Sequence, residues 1–149
     1  MSAAATQVRR RVALFALVVV TATGCGSSRG PADAVMENLE RMRAEARTLV
    51  ADPQRRAALE LSIDGLQSDL LMMRETFRTT LEELRAVNAR PEATRAELEQ
   101  VMDDMDVRRG AARDRVVQRH FDLTALTFAA EWQALAKHER KALQAAATR

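Results

Sequence analysis

The chain has 149 residues with 5 Gly, 3 Pro, no Tyr and 3% aromatic residues, and few β-branched residues follow position 25, a composition that excludes sandwiches, barrels and doubly wound sheets. One Cys and two His exclude a disulfide framework and a Cys-based zinc site and leave little for a catalytic or metal constellation. The net charge of +2 comes from Arg9, Arg10 and Arg11: without the first 24 residues, 20 bases stand against 21 acids, a net charge of −1, and no nucleic-acid argument survives.

Arg9 to Arg11 are followed by an apolar run from Val12 to Val20 and then by small residues, which predicts a cleavable export signal, too short to span a bilayer. The stretch Ala22-Thr23-Gly24-Cys25 resembles the lipobox of bacterial lipoproteins, with Ala22 where the pattern prefers Leu. The resemblance implies that signal peptide 1–24 is removed and that Cys25 is diacylated, becomes the new N-terminus and is then acylated again. The mature chain has no second thiol to pair with Cys25 in an oxidising compartment, in keeping with an anchor. Two or three acyl chains, at about 0.8 kcal/mol per buried CH₂, suffice for stable membrane attachment. Gly26, rather than Asp, implies the outer membrane by the sorting rule of enteric lipoproteins, with the protein facing the periplasm. Residues 25–30 are then the lipidated Cys and a flexible tether, Ser27, Ser28, Arg29 and Gly30.

Residues 31–149 read as one all-α helical-hairpin domain punctuated by its prolines, each expected to open a helix. Pro31 opens a first helix to Ala51, with Val35, Leu39, Met42, Ala46 and Leu49 on one face. Asp52-Pro53 supplies an N-cap and first residue for a second helix over 53–89, whose seam runs through Leu59, Ile63, Leu66, Leu70, Met73, Phe77, Thr80, Leu84 and Val87. At about 1.5 Å per residue it spans roughly 55 Å and needs a long partner. Pro91 is expected to open that partner, with a stripe at Leu98, Met102, Met105, Ala112, Val116 and Leu123, giving a long antiparallel hairpin that turns near Arg90. Thr127 is expected to cap a fourth helix that buries Phe128, Trp132, Leu135 and Ala142 or Leu143, with Phe128 and Trp132 as the largest apolar anchor. Gly65 and Gly110 both fall inside helices, near one level of the hairpin, where they either allow a close approach and a concave face or are independently tolerated.

Chemical motifs are absent or incomplete. His138-Glu139 begins like a zinc-protease signature, but Ala142 stands where the second ligand belongs. Asp104, Asp106 and Gly110 superficially suggest a calcium loop, yet Arg108 occupies a ligand position and the segment is helical. Neither a phosphate loop nor a nucleophile elbow is present, so no enzyme, cofactor or metal site is expected. The methionine pairs Met36/Met42, Met72/Met73 and Met102/Met105 could be soft ligands for Cu(I), but mostly lie on the apolar seam as core fillers. Residues 92–106 hold six acids and one base, whereas residues 108–122 hold five arginines against Asp114 and Asp122. This −5 to +3 polarity suits the helix dipole, and it also makes the helix complementary to an antiparallel copy of itself in a homodimer.

The layout of short helix, long hairpin and terminal amphipathic helix resembles the Spy and CpxP-type periplasmic chaperones and heavy-metal-resistance sensors. Arg90-Pro91-Glu92-Ala93 at the turn and Leu126-Thr127-Phe128-Ala129-Ala130-Glu131-Trp132 carry the resemblance; Leu126 and Thr127 match a Leu-Thr-x-x-Gln motif without its Gln, and Asp52-Pro53-Gln54 replaces the other copy. The resemblance implies an ATP-free chaperone or stress sensor that holds unfolded envelope proteins on a mixed basic and apolar face, here Arg74, Arg78, Arg109, Arg113 and His120. The alternative is a structural coiled-coil lipoprotein that docks on another envelope protein.

Overall fold

Each helix begins where a carboxylate or hydroxyl takes up free backbone N–H groups. In the computed structural model, which describes residues 30–148, the chain forms α1 (Pro31–Leu49), α2 (Pro53–Asn88), α3 (Arg95–Ala125) and α4 (Ala129–Ala147). The export signal, Cys25 and the tether as far as residue 29 lie outside the described residues. Asp52 caps α2 as expected, its Oδ1 accepting from the N–H groups of Gln54 and Arg55 at 2.8 and 2.9 Å. At α1 the Asp33 carboxylate accepts from the Gly30 N–H at 3.0 Å, behind Pro31.

Two helix starts differ from expectation. Pro91 lies in the turn between α2 and α3, and α3 starts after Thr94, whose hydroxyl accepts from the Glu97 N–H while the Glu97 carboxylate accepts from the Thr94 N–H at 2.8 Å. This reciprocal box satisfies two donors at once, which Pro91 cannot do. Thr127 does not cap α4: its hydroxyl donates back to the Leu123 carbonyl at 3.0 Å, and Phe128 is the N-cap residue, its N–H donating to Glu131 at 2.8 Å.

The fold is all-α, a long antiparallel hairpin of α2 and α3 with one shorter helix before it and one after it in the chain, the two packed together on the same half of the hairpin. α1 packs on α4 and on α2, and α2 packs along α3. The core gathers Val35, Leu39, Met42, Ala46 and Val50 with Leu59, Ile63, Leu66, Leu70, Leu123, Leu135, Ala142 and Ala146. Every one of these core residues lies between Val35 and Ala146, so a chain starting at residue 26 keeps the whole core. Leu49 is exposed, contrary to expectation; Val50, just past the helix end, turns inward in its place.

Helix length decides where this core stops. α1 and α4 have 19 residues each and α2 has 36, about 28 Å against about 54 Å. The short helices therefore cover α2 only as far as about Leu70, and beyond it the hairpin is two helices alone. There Thr80, whose hydroxyl donates to the Thr76 carbonyl at 2.8 Å, and Ala112 are buried between them. Phe77 and Met102 are 37% and 43% exposed, so beyond Leu70 the expected continuous buried seam narrows to the contact line at Thr80 and Ala112. A pair of helices has one contact line, and side chains to either side of it need a third helix to cover them.

The two helical glycines have different surroundings. An added Cβ at Gly65 would stand 2.7 Å from Cζ of Arg119, so the guanidinium occupies the space a side chain would take. At Gly110 an added Cβ would meet nothing within 4 Å.

Candidate binding groove

Where α1 and α4 end and the hairpin runs on, the step leaves a groove of about 1020 Å³. Ala32 of α1 and Ala146, Ala147 and Thr148 of α4 form one wall. Met73, Phe77 and Leu81 of α2 with Met105 and Ala112 of α3 supply its apolar surface, and Arg74, Arg78, Arg85 and Arg109 its positive charge. Phe77, expected in the core, is a groove residue because no helix reaches far enough to cover it.

The four arginines are not equivalent. Arg74 Nη1 donates to the carbonyls of Ala145, Ala146 and Thr148 at 3.0, 3.1 and 2.7 Å, closing the C-terminal end of α4 and holding that wall of the groove. Arg78 is gripped by Glu75 and by Glu82. The hydrogen bond with Glu75 foremost, these carboxylates push the Arg78 guanidinium up from its ordinary value, and Arg78 holds Glu75 below the ordinary carboxylate value. Among the described residues Arg85 and Arg109 have neither an ion pair nor a hydrogen-bonded side chain, and they are the groups free to meet an anion.

Of the basic face expected from sequence, Arg74, Arg78 and Arg109 thus line one groove. Arg113 lies outside it, beside a shallow dent formed with Asp106, Arg109 and Gly110. His120 sits in the other half of the molecule, its Nδ1 3.0 Å from the buried Glu139 and its ring edge-on to Trp132 at 5.3 Å. It links α3 to α4 through these two side chains. Phe128 is also displaced from its expected role: it is 68% exposed, with the Arg55 guanidinium 4.2 Å above its ring. Arg55 in turn bonds Glu131 at 2.5 and 3.0 Å, tying the start of α2 to the start of α4.

Sequence reasoning missed Arg85, although it falls seven and eight residues after Arg78 and Phe77 and so shares their side of α2. Among the described residues no three His, Cys, Asp or Glu side chains cluster as a metal would require, and no helix is long and apolar enough to cross a membrane. Comparison of the chain with protein-family models, curated proteins and solved structures gives no match.

Proposed function

We propose that this chain is a non-enzymatic lipoprotein of the bacterial envelope, anchored through Cys25 at the periplasmic face of the outer membrane. It holds segments of unfolded envelope proteins in the manner of the Spy and CpxP-type chaperones. The groove carries this reading: apolar side chains flanked by unpaired Arg85 and Arg109 suit a polypeptide segment that presents apolar residues beside carboxylates. Ala32, on the groove wall, comes seven residues after Cys25, so the groove lies within roughly 25 Å of the acylated residue at full extension of the tether. Incoming segments would be held close to the bilayer.

Two experiments test the two halves of this proposal. Residues 26–149 should suppress the aggregation of a chemically denatured test protein without ATP, and Arg85→Glu with Arg109→Glu should weaken that suppression. Equal suppression by the charge-reversed variant would refute the groove as the binding site. Cys25→Ser should leave an unprocessed precursor, and incorporation of labelled palmitate into it would refute the anchor.

A further inference from the structure

α3 shows solvent a second uncovered side, away from the groove. Asp103, Asp106, Gly110, Arg113, Val117 and Phe121 follow one another by three or four residues and so share one helix face. Val117 and Phe121 are 46% and 60% exposed. Gly110 stands at the middle of this face, in a dent of about 280 Å³ flanked by Asp106, Arg109 and Arg113. Glycine is unfavourable inside a helix, and here nothing in the chain asks for it, since an added Cβ would meet open space. The charges beside it are also poorly used. Asp106 has no ion pair among the described residues, and Arg113 reaches only its neighbour Asp114 at 3.3 Å, both side chains being more than 70% exposed.

We propose that a second copy of this chain packs on this face, α3 against α3 in antiparallel sense, with the two-fold axis passing Gly110. An isologous contact must be complementary to itself, and the charges about Gly110 are. With 3.6 residues per turn, Asp106 and Arg113 lie on the same side of Gly110, about 40° and 60° around the axis, four residues before it and three after. A two-fold axis across the helices keeps that side and reverses the direction, so Asp106 of each copy comes opposite Arg113 of the other. Glycine at the crossing lets the backbones approach, as a larger side chain would not. Val117 and Phe121 of each copy then lie over the level of Asp103 and Glu99 of the other, where they cover the carbon stems of those side chains, and the two ion pairs set the orientation.

The arrangement makes a demanding prediction. Residues 26–149 should sediment as a dimer at about 100 μM, a concentration that detects a weak association. Asp106→Arg and Arg113→Asp should each weaken the dimer at least about tenfold, since each sets like charges opposite one another twice. Mixed in equal amounts, the two variants should form a heterodimer, because each then meets its opposite charge at both positions. Gly110→Leu should abolish the dimer while leaving the monomer at least as heat-resistant as before. A monomeric unmodified protein, single variants that dimerise as it does, or a mixture that stays monomeric would each overturn the proposal. Dimerisation seen only with vesicles present would overturn it too, assigning Val117 and Phe121 to a lipid surface.

Discussion

Asp69 of α2 accepts from Arg119 of α3 at 3.0 Å while only 7% exposed, and Arg115 approaches its other oxygen at 3.4 Å. It is the buried carboxylate that ties the two long helices together just where the core ends at Leu70. Asp69→Ala should lower stability by about 1–3 kcal/mol. The lower end of that range is favoured because Arg115 and Arg119 are 44% and 40% exposed and can rehydrate. A urea midpoint unchanged from the parent would show that the pair contributes nothing.

The two helical glycines should respond in opposite ways to the same substitution. Gly110→Ala meets open space and should raise the stability of the monomer by about 1 kcal/mol, read at low protein concentration. Gly65→Ala places its Cβ where the Arg119 guanidinium lies and must push it from Asp69, so the gain in helix propensity is offset. In an Arg119→Ala background Gly65→Ala should become stabilising. Equal melting temperatures for the two single variants would refute the distinction.

Core and groove residues should separate in the same way. Leu66→Ala removes a fully buried side chain and should cost about 2–5 kcal/mol. Phe77→Ala should cost only about 1 kcal/mol, because Phe77 is 37% exposed, yet it should reduce aggregation suppression by the domain. A large loss of stability at Phe77 would place it in the core instead.

Stability should fall on acidification. Glu131 is held below the ordinary carboxylate value by Arg55 and by the Phe128 N–H, and Asp52 by the N–H groups of Arg55 and Gln54. Burial pushes Glu45 up, but Lys137 and His138 outweigh it and hold it low. A carboxylate whose value is lower folded than unfolded adds stability above its unfolded value and loses it as pH falls through the folded one. The melting temperature should therefore be maintained by these groups above about pH 5 and decline below it. Glu131→Gln should lower it at neutral pH and make the acid decline shallower. An unchanged acid profile would show that the Arg55 clasp carries none of it.

The helices themselves were legible in the linear chain. Asp52-Pro53 marks a cap and the first residue of α2 by local chemistry alone, and the steps through Val35, Leu39, Met42 and Ala46 or Leu59, Ile63, Leu66 and Leu70 identify faces that are indeed buried. Thr94 and Glu97 stood in the sequence as a capping box too, and the more conspicuous Pro91 concealed them.

The sequence by itself determined the all-α class, the long hairpin and the first half of the core, because caps and apolar spacing act over a few residues of one helix. Only the tertiary structure decided where burial stops. Met73 and Phe77 continue the same spacing as Leu66 and Leu70, but whether a stripe is covered depends on the length and placement of other helices, which α1 and α4 settle by ending early. The same reason turns Phe77 and Arg85 into groove residues, draws Arg74 to the end of α4 and sends His120 to Glu139. Charges find partners by distance in space, which their order along the chain does not contain.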